Sequence, residues 1–272
     1  MMIKSKKLGF TMVELVIVIA ITGILASILA IFIRIPVIAY EDTYGRAELT
    51  DQASSIIKAI KKDIRMSLPN SIRVSTVGNK TYLELISVVA GGKYRSQNAT
   101  GGTGNILDFT FADTSFDVLS GPMTFKGGEK IVVANIGSPG FDAYSSSNMT
   151  DYNGALNVPV NTINIVGKLF PLESPNENFY VVDKPITYMC DKDTKTVIKY
   201  WSYAINTTQP VNNLATPLLT SKSTLIANNV ANCNFIYNQG ENTRNGIVTI
   251  IVTVSNKAQE ATLYGDTYVR NI

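Results

Sequence analysis

Residues 10–33, FTMVELVIVIAITGILASILAIFI, are apolar almost throughout and decide how the chain is organised. A helix rising about 1.5 Å per residue would extend roughly 36 Å here, which exceeds the hydrocarbon thickness of a bilayer at about 30 Å. Lys4, Lys6 and Lys7 precede the run. Because cytoplasmic flanks of membrane helices are enriched in basic residues, we expect a cytoplasmic N-terminus and an outside location for everything after Arg34.

Two ordinary interpretations of this run compete with a specialised one. A secretory signal peptide has a shorter apolar segment and a small-residue cleavage site, but no A-x-A pattern follows here, and Ala26 and Ala30 are the nearest small residues. A plain membrane anchor leaves Glu14 unexplained, because a carboxylate inside hydrocarbon is costly. Glu14 therefore either reaches to the membrane interface or pairs with a partner.

The segment Gly9-Phe10-Thr11-Met12-Val13-Glu14-Leu15, after its short basic leader, resembles the processing site of type IV prepilins and type II secretion pseudopilins. The resemblance implies that a prepilin peptidase in the membrane cuts between Gly9 and Phe10 and methylates the new Phe10 amine. It also implies that Glu14 of one subunit pairs with the Phe10 amine of a neighbour. Four residues apart, both groups would share one helix face, and the cost of an unpaired buried charge would favour the correct register.

The helical pattern changes after Pro36, which predicts a kink or short break around residues 32–37. Beyond it, apolar residues recur at spacings of three and four. This pattern predicts an amphipathic helix that lies on a core and ends before Pro69. The apolar stripe consists of Leu49, Ala53, Ile56, Ile57, Ile60, Ile64 and Leu68.

From Ser71 onward, short runs rich in Val, Ile, Tyr, Phe and Thr alternate with turn residues, which predicts an antiparallel β-rich head. We expect strands at 71–77, 80–89, 105–111, 130–136, 161–168, 178–183, 186–190, 196–205, 233–239, 246–256 and 260–271, the last two as a hairpin. Loops are expected at 91–104, 137–160 and 206–223.

The predicted fold class is therefore α+β, with a long N-terminal α-helix, transmembrane and then amphipathic, packed on an antiparallel β-rich globular head. The expected parts are a leader peptide at 1–9, a transmembrane and assembly helix at 10–35, an amphipathic helix at 36–68 and a head domain at 69–272.

The head contains the two cysteines of the chain, Cys190 and Cys233. Outside the cytoplasm, two cysteines in one domain usually form a disulfide, and two buried thiols are the alternative. The chain has no histidine, the commonest general base and metal ligand, so we expect no enzyme, no cofactor and no metal site. With 24 basic and 21 acidic residues and no basic stripe interleaved with aromatic residues, no nucleic-acid partner is expected.

Three further segments, GRAEL (45–49), KDIR (62–65) and LPNSIRV (68–74), resemble the MshO-type minor pilins of the MSHA pilus. The resemblance implies a minor pilin that takes part in pilus biogenesis and assembly and primes or caps the filament. Implied partners are major and minor pilins, the prepilin peptidase, the inner-membrane assembly platform and the membrane. The implied location is single-pass in the bacterial inner membrane, with a periplasmic head, and then on the pilus.

Two alternative functions stay open at this point. One is a J-type pseudopilin at the tip of a type II secretion pseudopilus, since such proteins carry similar helices. The other is an adhesin module displayed on a filament.

Overall fold

The computed structural model describes residues 9–240, 246–256 and 259–269. A single α-helix, α1 (Met12–Arg65), precedes a series of antiparallel strands, which confirms the predicted α+β class. The chain forms two compact units, one ending at Glu48 and one beginning at Leu49. The last turns of α1 therefore belong to the same unit as the strands.

Helix α1 continues through Pro36, so the predicted short break is absent. A proline in a helix removes one hydrogen bond, here the one to the carbonyl of Phe32, while the bonds of the adjacent residues can still form.

The predicted apolar stripe of the second half of α1 is confirmed. All seven of its members are buried: Leu49, Ala53, Ile56, Ile57, Ile60, Ile64 and Leu68. The helix ends a few residues before Pro69, because the Ser67 hydroxyl donates to the Ile64 carbonyl (2.7 Å) and the Leu68 N–H donates to the Ile86 carbonyl (2.9 Å). The chain thus leaves the helix by joining the sheet.

The largest sheet has seven strands, and a smaller one has three. The seven-stranded sheet consists of β1 (Arg73–Val77), β2 (Lys80–Lys93), β5 (Lys130–Val133), β6 (Met149–Asp151), β9 (Asn178–Asp191), β10 (Thr196–Trp201) and β11 (Lys222–Ala227). Its order is β1-β2-β9-β10-β11, and β5 pairs with β9 and β6. The three-stranded sheet has the order β12 (Val230–Asn238), β13 (Ile247–Ser255) and β14 (Glu260–Tyr268), and its β13–β14 pair is the predicted hairpin.

Two short pairs complete the strands: β3 (Asp113–Asp117) with β8 (Thr162–Lys168), and β4 (Met123–Thr124) with β7 (Pro159–Val160). The predicted strand at 105–111 is wrong, since this segment is irregular. The Asp113 carboxylate accepts the Asp108 N–H (2.9 Å), and the Asp108 carboxylate accepts the Thr110 N–H (2.7 Å), so side chains replace a strand ladder there.

Other strand boundaries also differ from the prediction. The runs at 178–183 and 186–190 form one continuous strand, β9, and β2 extends into the predicted loop at 91–104. The predicted loop at 137–160 contains β6 and β7, and the predicted loop at 206–223 ends inside β11. Strands β6 and β7 have only three and two residues, so their composition gives little sign of them.

The first hydrophobic core lies between the second half of α1 and the inward faces of the two larger sheets. Gly265 of β14 faces α1, and a Cβ atom there would overlap Cγ2 of Ile57, so only glycine permits this close approach of strand and helix. Residues 94–177, between β2 and β9, build a lobe. A second core, around Phe116, Phe125 and Phe170, lies between this lobe and Phe179 and Val181 of β9.

A disulfide joins Cys190 of β9 to Cys233 of β12, with their Cα atoms 6.1 Å apart. It therefore links the seven-stranded sheet to the three-stranded sheet within the first core. The two cysteines are 43 residues apart in the chain.

A buried ion pair lies on the other face of the seven-stranded sheet. The Glu84 side chain is fully buried, and its carboxylate accepts hydrogen bonds from Arg73 Nη2 (2.5 Å) and from the Tyr203 hydroxyl (2.9 Å). The Arg73 guanidinium also stacks on the Tyr144 ring at 3.4 Å and donates to the Thr207 carbonyl (2.6 Å). The pair therefore holds two connections between strands against the sheet: the one that contains Tyr144 and the one that contains Thr207.

Removing the disulfide should lower head stability without altering the fold. In the chain-entropy model, a disulfide that closes a loop between residues 43 positions apart contributes about 4 kcal/mol of stability. We expect the double variant Cys190→Ala/Cys233→Ala to lose this amount in the free energy of unfolding, measured by urea denaturation of the full chain in detergent. Reduction of the wild-type chain should cause a similar loss, and an unchanged midpoint in both experiments would contradict the prediction.

Glu84 should make stability depend on pH. Burial raises the pKa of the Glu84 carboxyl above its ordinary value of 4.5, although Arg73 and Tyr203 act in the opposite direction. A carboxyl with a higher pKa in the folded state contributes stability that is complete below the unfolded pKa and is lost as pH rises through the folded pKa.

The side chain introduced by Glu84→Gln cannot ionise, so this variant should not lose stability as pH rises through the folded-state pKa of Glu84. We expect the unfolding free energy of Glu84→Gln, relative to wild type, to increase as pH rises from 4.5 through the folded pKa. Urea denaturation at a series of pH values would measure the difference, in which the other carboxylates cancel. A difference that decreases with pH would show that the Arg73 charge outweighs the burial of Glu84.

Candidate functional site

The candidate site is the beginning of α1. Thr11 directly precedes the helix, and its hydroxyl oxygen accepts the N–H of Glu14 (3.3 Å), while its carbonyl accepts the N–H of Leu15 (3.2 Å). A threonine at the N-cap followed by a glutamate three residues later is the pattern of a capping box. Glu14 also lies in the first turn, where a negative charge interacts favourably with the helix dipole.

The structure separates Phe10 from the helix. Phe10 lies two residues before Met12, the first residue of α1, so the expectation that Phe10 and Glu14 share one helix face does not hold within this chain. The cause is the Thr11 cap, which fixes the helix start after Thr11. The two groups are therefore not positioned to pair within one subunit by helical spacing.

The residues of the predicted processing site are accessible. Phe10 is 78% exposed, and Glu14 is also exposed. A Cβ atom added at Gly9 would have no atom within 4 Å. The Glu14 carboxylate forms no ion pair with any residue in the described part of the chain. Its charge is therefore available to a group on another molecule.

The apolar run that follows is exposed along its whole length. Residues 12–40 are all exposed, and they include the large aliphatic side chains of the run. The hydroxyls of Thr22 and Ser27 donate to carbonyls one turn earlier, at Val18 (2.5 Å) and Gly23 (3.0 Å), so these polar groups are satisfied inside the helix. Glu14 is the single charged residue of the run.

By length and composition, α1 could cross a membrane, and its most apolar part is outside the core. An exposed apolar surface of this size marks contact with lipid or with other proteins. The site thus combines an accessible Gly9–Phe10 bond, a capped helix start and, at the edge of an apolar surface, a carboxylate that forms no ion pair within residues 9–240, 246–256 and 259–269.

Sequence reasoning missed two features of α1. The capping role of Thr11 was visible in the Thr-x-x-Glu spacing. The role of Asp63 was not, because its partners come from distant strands: its carboxylate accepts the Tyr188 hydroxyl (2.7 Å) and pairs with Lys199 (2.5 Å). That contact joins the last turn of α1 to β9 and β10.

A family model described as the prokaryotic N-terminal methylation motif matches residues 4–30. The match contains Gly9, Phe10 and Glu14 and most of the apolar run. Neither a curated protein nor a solved structure matches the chain. The motif and the exposed apolar helix together support a type IV pilin-like or pseudopilin protein that is anchored in a membrane by its N-terminal helix.

Proposed function

We propose that this chain is a minor pilin that enters a type IV pilus-like filament of the MSHA type and primes or caps it. The observation that carries the proposal is that three features occur together at the start of α1. The methylation motif, the accessible Gly9–Phe10 bond and the Glu14 carboxylate, which has no ion-pair partner in the part of the chain that the structure describes, all lie at the start of one exposed apolar helix.

The first step of the proposed mechanism is processing by a prepilin peptidase. Cleavage between Gly9 and Phe10 removes the basic leader at 1–9 and leaves a cationic amine on Phe10, which the same enzyme methylates. The open space around Gly9 supports access of the enzyme to this bond. Thr11 lies after the cut, so the helix keeps its cap.

The second step is assembly of helices side by side. The exposed apolar surface of α1 first contacts lipid and then the helices of neighbouring subunits. In such a bundle the Glu14 carboxylate of one subunit pairs with the Phe10 amine of the next. Since an unpaired buried charge is strongly unfavourable, the pair selects one register among many possible helix contacts.

In this proposal, residues 10–35 span the inner membrane and residues 36–68 connect them to a periplasmic head at 69–272. The inner-membrane assembly platform then moves the subunit into the filament at the cell surface. The lobe at 94–177, which supplies most of the second core, enlarges the head, which supports a low-copy subunit over the repeating subunit of the shaft.

A J-type pseudopilin of a type II secretion system is the alternative that the same motif allows. The two functions differ in partners: a pilus major pilin in one case, and secretion pseudopilins in the other. Chemical cross-linking in intact cells, followed by identification of the linked subunit, distinguishes them. A third possibility, an adhesin module on the filament, concerns the head and is compatible with either assembly.

Replacement of Gly9 should block processing while leaving the fold intact. We expect Gly9→Val to accumulate as the uncut precursor, because the peptidase requires a small residue at the cut, whereas an added Cβ atom has open space among the described residues. Mass spectrometry of the intact protein measures the N-terminus, which should be methylated Phe10 in the wild type.

Gly23→Val is the matched control, because Gly23 also has open space around it but lies after the motif's cleavage site. This variant should be cut normally. A wild-type chain that begins at Met1, or that is cut near Ala26–Ala30, would contradict the proposed processing.

Substitution of Glu14 should abolish assembly after normal processing. Glu14→Gln keeps the N–H that Thr11 accepts and keeps a residue suited to a capping box, but it removes the charge. Loss of one partner of a buried pair costs about 3–5 kcal/mol. We therefore expect Glu14→Gln to insert, to be cut after Gly9, and to fail to cross-link to its partner pilins.

Thr11→Ala is the control for the cap, since it weakens the helix start by about 1 kcal/mol and leaves the charge in place. It should still assemble. If Glu14→Gln assembles at the wild-type yield, the carboxylate does not determine the register.

A further inference from the structure

A second surface of interest lies on the seven-stranded sheet, where α1 no longer covers it. Successive residues of a strand alternate between the two faces, so Val197, Lys199 and Trp201 of β10 lie on one face. Val197 belongs to the first core, and Lys199 pairs with Asp63 in the last turn of α1. Trp201 comes next and is only half-buried. It borders an open cavity of about 460 Å³.

The same cavity reaches the free edge of the sheet. Strand β11 pairs with β10 on one side, and in the described ranges no strand pairs with its other side. Lys222 lies opposite Trp201, and Thr224 lies opposite Lys199, so both side chains are on the face that contains the cavity. Because residues 222–225 are all exposed, the outward backbone groups of β11 are accessible to another chain.

The charges around the cavity favour an anionic partner. Lys184, Lys199 and Lys222 line it, and Asp183 is the acidic residue among them. Asp63 already neutralises Lys199 at 2.5 Å. Lys184 and Lys222 are exposed and take part in no ion pair among residues 9–240, 246–256 and 259–269. Two lysines are therefore open to carboxylates of another molecule.

We propose that this face binds an extended, acidic polypeptide segment, which adds as a strand to the edge of β11 and places carboxylates on Lys184 and Lys222 beside Trp201. In strand addition, backbone hydrogen bonds give affinity, and alternate side chains give specificity by entering pockets on one face. The cavity supplies such a pocket, and the indole supplies apolar contact with the side-chain stems. This inference does not depend on processing or on assembly through Glu14.

The chain offers a direct probe, because Trp201 is its single tryptophan. Its fluorescence therefore reports on this surface alone. The experiment titrates a synthetic peptide of about ten alternating Glu and Thr residues, a length typical of strands, into the detergent-solubilised full chain. We expect a saturable change in the Trp201 emission.

Charge reversal tests the role of the lysines. The double variant Lys184→Glu/Lys222→Glu should bind the peptide at least about tenfold more weakly, because like charges then oppose each other. Lys126→Glu changes another exposed lysine, in the 94–177 lobe and outside the cavity lining, and should bind as the wild type does. Circular dichroism should be the same for all three chains.

Several outcomes would overturn the proposal. These are an absent or unsaturable response, unchanged affinity in the charge-reversal variant, or equal affinity for an alternating Lys–Thr peptide. Equal affinity for a helix-forming Glu–Ala peptide would exclude strand addition. An equal response to citrate or to a neutral glucan oligosaccharide would identify a small-anion or sugar site instead.

Discussion

One continuous helix carries an exposed apolar surface in its first part and a buried apolar stripe in its second part, and the rest of the structure depends on that constraint. Residues 12–40 of α1 are exposed, whereas the stripe from Leu49 to Ile64 is buried between two sheets. Burial of each large aliphatic side chain contributes about 1.5–3 kcal/mol, so burial of the stripe supplies a large share of the stability of the first core. The head therefore requires the end of the helix that also carries the exposed apolar surface.

Polar and covalent contacts then fix the relative positions of the end of α1 and the two sheets, which apolar packing alone does not specify. Apolar packing is non-directional, but the Asp63 contacts with Tyr188 and Lys199 fix where α1 ends relative to β9 and β10. The Cys190–Cys233 disulfide fixes the two sheets against each other in the same core. Each of these contacts joins residues that are far apart in sequence, so they act only once the strands have paired.

Local patterns in the sequence predicted the parts of the fold that local forces determine. The isoleucine stripe of α1 and the β13–β14 hairpin follow from periodicity and turn spacing alone. The segment 105–111 has a strand-like composition, but Leu107 is buried in the second core on an irregular backbone held by Asp113. The surface around Trp201 was not predictable, because it depends on the register of β10 against β11.

The position of Thr11 has a consequence for the proposed maturation. Under the proposed cleavage after Gly9, the Thr11 cap would stay with the mature part of the chain, so the helix would keep this hydrogen-bond partner. What cleavage does change is charge, since a cationic amine would appear close to the positive end of the helix dipole. Glu14, in the first turn, offsets that repulsion in an isolated subunit. The proposed cleavage would therefore place a positive charge at the helix start that a neighbouring carboxylate can offset, while the Thr11 cap stays in place.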